Sequence, residues 1–287
     1  MNGRARSRNE IKKKHMKTIG STIYQALVVV VLGFLGLLPQ VQAIVPAPDG
    51  GYPGGNTAEG DDALFNLTTG INNTAVGFNT LRNNTTGGWN VAIGASALAS
   101  NTAGYQNMAI GTEALTNNNA NFNSAIGFRA LFMNTTGNHL TGIGAAALRN
   151  NTTGDFNTAI GADALHDNTT GGANTATGSA ALYNNTTGTF NTANGVWSLR
   201  DNTIGVYNTA NGYQTLQSNT TGYLNAAIGA GALFSNKTGK YNTAIGADAL
   251  PTTLEAATIS AWATTAALVL LRPVTLSVSA ISSPVRT

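Results

Sequence analysis

A 17-residue unit repeats twelve times between Asn56 and Leu250. A fixed period this short restricts the fold to one small supersecondary element per copy, each stacked on its neighbours. One Gly of the unit recurs at Gly60, Gly77, Gly94, Gly111, Gly127, Gly144, Gly161, Gly178, Gly195, Gly212, Gly229 and Gly246. Every step is 17 residues except the 16 from Gly111 to Gly127, and a Leu follows each Gly four residues later. The averaged unit reads Asn-Thr-Ala-Ile-Gly-x-x-Ala-Leu-x-x-Asn-Thr-Thr-Gly-x-x.

Seventeen residues are too few for a self-packing helical hairpin and suit one coil of a β-solenoid with two short strands and two turns. Asn157-Thr158-Ala159-Ile160 typifies the first strand, and Gly161 turns the chain through a positive φ. Ala164-Leu165 would form the second strand, and Asn168 to Gly171 a turn in which Asn bonds nearby backbone and Gly takes the left-handed position. The one-residue deletion falls in that second turn, at Asn117 to Asn121, where a change of length is cheapest. Comparing copies assigns the interior. The Leu never varies, the residue before it is always Ala, Thr or Ser, and the strand Ala changes only at Gly142. The Ile column instead becomes Thr177, Asn194 and Asn211 in three consecutive copies, so it faces solvent or a neighbouring subunit. With so thin an apolar interior, burying a face against identical copies would add stability, which favours a homo-oligomer.

The chain begins with a basic stretch carrying seven of its fifteen Lys and Arg, followed by an apolar run from Ile23 to Leu38 and the small-residue site Val41-Gln42-Ala43. This order reads as a secretory signal peptide, residues 1–43, cleaved after Ala43. Without it, eight basic residues stand against eleven acids, a net charge of −3, and no basic face for nucleic acid survives. The mature chain then has no transmembrane anchor and is expected to be secreted, at the cell surface or the outer membrane. Residues 44–55, rich in Pro and Gly, read as an extended linker; 56–250 are the solenoid; 251–287 are a non-repeat tail. There is no Cys, hence no disulfide and no thiolate metal site.

No catalytic constellation, cofactor motif or metal-ligand cluster emerges, so the chain reads as a non-enzyme. His139 and His166 replace ordinary turn residues in different columns, and the acids Asp155, Asp163, Asp167, Asp201 and Asp248 are scattered. One column does stand out. Two residues after the second-turn Gly it carries Trp89, Phe122, Phe156, Phe190, Tyr207 and Tyr241. Such a ladder either seals packing or a subunit interface, or lies exposed for glycan or protein contact. Thr columns raise the further idea of a flat ice-binding array, although most Thr sits beside Asn in the second turn.

Asn-Thr-Ala-Ile-Gly-Ala-Asp-Ala-Leu and Asn-Ala-Ala-Ile-Gly-Ala-Gly-Ala-Leu resemble the head repeats of YadA-like trimeric autotransporter adhesins, across residues 56–250. The resemblance implies a left-handed parallel β-roll, a homotrimer, and adhesion at a bacterial surface to a host-cell, matrix or glycan ligand. Two departures qualify it: the unit is longer than the usual head repeat, and no coiled-coil stalk or barrel anchor follows. The alternatives are a structural envelope or fibre spacer, and an ice-binding solenoid.

The tail carries a trace of the repeat. Ala257 to Thr265 can be written in codons that, regrouped one nucleotide earlier, spell Asn-Asn-Ile-Gly-Leu-Gly-Tyr-Asn. Val274 to Ala280 regroups likewise to Asn-Thr-Ile-Gly-Ile-Gly, and Thr258 and Thr275 lie 17 residues apart. A frameshift near Leu250 accounts for both.

Overall fold

The computed structural model describes residues 52–251, together with the backbone of two later strands. The signal segment with Ala43, and linker residues 44–51, lie outside the described residues. The chain is a parallel β-solenoid. Twelve three-residue strands, from β1 (Thr57–Glu59) to β12 (Thr243–Ile245), form one sheet in strict chain order. Two further strands, β13 (Ile259–Trp262) and β14 (Leu276–Ser279), extend it. Register advances by one unit per strand: Thr158 pairs with Thr175, and Thr175 with Thr192. Numbering the copies as coils 1–12 by their Gly, coil 7 is residues 157–173.

Each coil has one strand, not two. Ala164 and Leu165 lie in a turn that runs from Ala162 to Asp167. The reason is backbone handedness: Leu165 has φ 52°, and the Leu of every coil lies between 49° and 55°. Left-handed backbone costs a residue such as Leu on the order of 1 kcal/mol, which burial of its side chain, at roughly 1.5–3 kcal/mol, offsets. Left-handed residues at the Gly, two after it, and at the Leu let successive N–H groups reach opposite neighbours. Asp163 N–H bonds back to Ala145 O at 2.9 Å, and Leu165 N–H bonds forward to Ala181 O at 2.9 Å. Most of the backbone is thus bonded along the axis without a second strand.

The three columns assigned to the interior are buried throughout, Gly142 included. The Ile column points out from the sheet, half-buried or exposed in every coil. Two further columns are fully internal: the Asn that opens the unit and the Asn of Asn-Thr-Thr-Gly. Their side chains form two hydrogen-bonded ladders along the axis. Asn174 Nδ2 donates to Asn157 Oδ1 (3.1 Å) and to Gly188 O (2.8 Å). Asn185 Nδ2 donates to Asn168 Oδ1 (2.7 Å) and to the same Gly188 O (3.0 Å). One glycine carbonyl therefore ties both ladders together in this coil.

That role corrects the expectation for the second-turn glycine. Gly171 is not left-handed; a Cβ there would lie 2.4 Å from Gly188 O and 2.5 Å from Asn168 Oδ1, so the site demands closeness rather than special torsion. The left-handed residue of the second turn is the aromatic column, as at Phe156 (φ 58°). Gly161 does need its torsion, at φ 135°, and a Cβ there would also meet Gly178 C and O at 2.7 Å.

The deletion falls in the second turn, as expected. Asn118 Nδ2 reaches Ala120 O two residues on, where Asn134 and Asn151 reach three residues on. Asn119 Oδ1 stands in for the missing carbonyl, accepting Thr102 N–H (3.1 Å) and Ala103 N–H (3.0 Å). The repair is incomplete: Asn101 Oδ1 is left buried without a partner. At the N-terminal end, Tyr52–Gly55 is not extended linker. Tyr52 N–H bonds Asn56 O (3.1 Å), and Asn56 Nδ2 holds Pro53 O (2.7 Å), folding these residues into a cap on coil 1.

Candidate functional site

The six aromatics singled out by their column all lie on the surface. Trp89, Phe122, Phe156, Phe190, Tyr207 and Tyr241 are between 39% and 62% exposed. Their shared left-handed backbone directs each side chain out of the coil at the same angular position, just ahead of the strand. Because consecutive coils are one strand spacing apart, adjacent rings stack. Phe190 and Tyr207 are 4.9 Å apart and nearly coplanar, at 1°.

The structure adds a member. His139, expected as an ordinary solvated turn residue, lies between Phe122 (4.9 Å, 20°) and Phe156 (5.0 Å, 16°), which makes three continuous rungs. Tyr105 meets Phe122 edge-on at 5.1 Å, one residue out of column. His139 shares the column number of the aromatics, and its imidazole stacks there as a ring. His166 is also not simply solvated: it stacks on Tyr183 at 4.8 Å and contacts Asp167 at 2.6 Å.

A second strip lies one residue after the Leu. There Arg82 lies over Phe65 (5.6 Å to the ring centre) and Arg149 over Phe132 (6.0 Å). Near the C-terminal end of the ladder Lys240 sits 5.4 Å from the Tyr223 ring, which itself meets Tyr241 edge-on. The hydrogen bond between these two side chains holds the Tyr223 phenol below its usual pKa and the Lys240 ammonium above its own.

At the capped end a groove of about 410 Å³ is lined by Tyr52, Pro53, Leu64, Phe65, Leu67 and Ile71, among others. Among the described residues no three His, Asp or Glu side chains come together as a metal site, and no helix is long and apolar enough to cross a membrane. What the surface offers is planar apolar rings at a regular step, suited to adsorption and recognition. Comparison with known protein families, characterised proteins and solved structures gives no match to this chain.

Proposed function

We propose that this chain is a non-enzymatic adhesin head or fibre segment, exported to the bacterial surface, that presents its aromatic ladder to a host-cell, matrix or glycan ligand. The observation that carries the reading is the ladder's exposure. Apolar rings left in water along one edge of an otherwise regular rod cost solubility and add little to the fold, so contact with a partner explains their display.

The same proposal includes self-association through the sheet. From Thr74 to Ile245 the outward strand residues carry no charge, and Val76, Ile93, Ile143, Ile160 and Ile228 are exposed. Twelve strands at about 4.8 Å, each about 10 Å long, give about 550 Å² per copy and about 1,100 Å² per pair, at the lower end for a stable interface. Parallel, in-register packing would set Ile against Ile and Asn194 and Asn211 against their counterparts. The number three comes from the resemblance to trimeric adhesin heads.

Light scattering of the purified full chain tests the assembly, with a trimer expected. Binding of the chain to cultured epithelial cells, collagen and immobilised glycans tests the activity. An inert rod that binds none of these would replace the adhesin reading with a structural spacer.

A further inference from the structure

The aromatic ladder has one missing rung. Between Phe156 and Phe190 the column carries Ala173, whose backbone keeps the same left-handed conformation (φ 55°) as its aromatic neighbours (58° and 57°). Only a methyl group therefore occupies a place from which a ring projects in the coils on either side. The residue before it is Gly172, so the floor of the gap is almost bare backbone. Filled rungs stand 4.9–5.0 Å apart, so the absence of one leaves Phe156 and Phe190 about 10 Å apart, with their facing surfaces uncovered. Exposure follows. Phe122, with a ring on both sides, is 39% exposed, whereas Phe156 is 62% exposed. The other two non-aromatic positions within the ladder, Gln106 and Leu224, carry long side chains.

The rim of the gap is polar. Asp155 and Thr189 flank it, one from each neighbouring coil, in the position that Gly172 leaves empty. Asp155 Oδ1 accepts Asn138 N–H at 2.6 Å, so its carboxylate is turned toward the preceding coil, away from the gap. Ala173 N–H bonds Asp155 O (3.0 Å) and Phe190 N–H bonds Gly172 O (3.2 Å), so floor and walls are one hydrogen-bonded unit.

We propose that the gap at Ala173 is a sugar-binding slot that takes one pyranose ring of a glycan, sandwiched between Phe156 and Phe190. This rests on the adhesive reading and gives it a ligand class. A pyranose carries C–H bonds on its faces, which the negative face of an aromatic ring attracts, and hydroxyls round its rim. The slot has the complementary order: ring faces above and below, with Thr189 of the following coil beside the bare Gly172 position. A spacing of about 10 Å gives a guest the same distance from each wall that the rungs keep from one another.

The test uses the full chain and saturation-transfer NMR with methyl β-galactopyranoside and methyl β-glucopyranoside as probes. Transfer to the ring C–H protons of at least one probe is expected. Ala173→Phe fills the slot with the residue the column already carries on either side, so the fold is retained and binding falls about tenfold or more. Phe156→Ser with Phe190→Ser removes the walls and gives the same loss; Phe78→Ser, at an exposed aromatic off the ladder, leaves binding unchanged. Undiminished pyranoside binding by the Ala173→Phe chain overturns the slot, as does a wild-type chain that binds p-cresol and neither sugar, or none of the three. Cell or glycan adhesion that survives Ala173→Phe removes the slot and leaves the adhesin reading. Pyranoside binding without adhesion does the reverse.

Discussion

Replacing Asn168 by Ala would measure what the buried ladders contribute. Asn168 is fully buried; its Nδ2 donates to Asn151 Oδ1 (2.7 Å) and Gly171 O (2.9 Å), and its Oδ1 accepts Asn185 Nδ2 (2.7 Å). Truncation does not injure all these partners equally. Gly171 O keeps Asn157 Nδ2 at 2.7 Å, and Asn185 Nδ2 keeps Gly188 O, but Asn151 Oδ1 loses the donor that satisfied it. One orphaned buried acceptor costs about 1–3 kcal/mol, and each of the two remaining lost bonds about 1 kcal/mol net, so the loss should be about 3–5 kcal/mol. The chain already carries such orphans, among them Asn101 Oδ1 beside the deletion, so a further one should weaken the rod without abolishing it. Because a coil contacts only its neighbours, the damage should stay local. Urea unfolding followed by circular dichroism should show a broadened transition at lower denaturant, and hydrogen exchange should rise first in coils 6–8. A loss under about 0.5 kcal/mol, or protection lost evenly along the rod, would refute the reasoning, since the ladder amides would then gain no more from one another than from water.

Gly161→Ala should destabilise by about 3 kcal/mol or more, through both strained torsion and a clash with coil 8. Gly171→Ala should also destabilise, through clashes with Gly188 O and Asn168 Oδ1 and without torsional strain; melting temperatures of the two variants check this, and a neutral Gly171→Ala would contradict it. Leu140 interrupts the first Asn ladder in the coil that also carries Gly142, so Leu140→Asn with Gly142→Ala should be better by at least about 1 kcal/mol than the sum of the single changes, and a double-mutant cycle that is merely additive would count against coupling. On alkaline titration followed by ultraviolet absorbance, Tyr223 should ionise ahead of the other tyrosines, and Lys240→Gln should abolish that early step. The lowered Tyr223 pKa favours the fold above its ordinary 10.0 and is lost as pH falls through the lowered value, while the raised Lys240 pKa favours it below 10.5 and is lost as pH rises through the raised value, so the two contributions overlap only in an alkaline window. The coding sequence should contain Asn-x-Ile-Gly in the frame next to that of residues 251–287; its absence would end the frameshift explanation.

The sequence made the axial architecture legible because the repeat reports each column twelve times. The Leu and Ala columns read as interior because they scarcely vary, and the Ile column read as exterior because Asn194 and Asn211 would be costly inside. The same logic, applied evenly, would have found the ladders, since the opening Asn is replaced only once, by Leu140. A single Asn suits a turn, however, and only stacked copies at one strand spacing turn its amide into both donor and acceptor for the next. The left-handed Leu was not legible at all. Ala-Leu favours regular structure, and only the burial gained in the stacked coil offsets the torsional cost. For the ladder, position was legible and exposure was not, because a ring at a coil edge can turn either way.

The tail shows what the repeat retains when its chemistry is removed. Ser260 pairs with Thr243, and Ser277 with Ser260, so β13 and β14 keep the 17-residue step of the twelve coils. Nothing in the residues themselves compels it. Ala263 and Ala280 stand at the steps where each coil needs its left-handed Gly, and Ile259 and Leu276 stand where the ladder Asn belongs. An open parallel edge accepts a strand-compatible segment, but it does not dictate how much chain intervenes before the next. A repeat written in nucleotides does dictate that, because a whole number of codons per period preserves the residue period in any reading frame while replacing its amino acids. In the regrouped reading of both segments Gly falls back at the places of Ala263 and Ala280. Step and phase together therefore point to the same repeat read in a neighbouring frame, with its spacing kept and its glycines and asparagines lost.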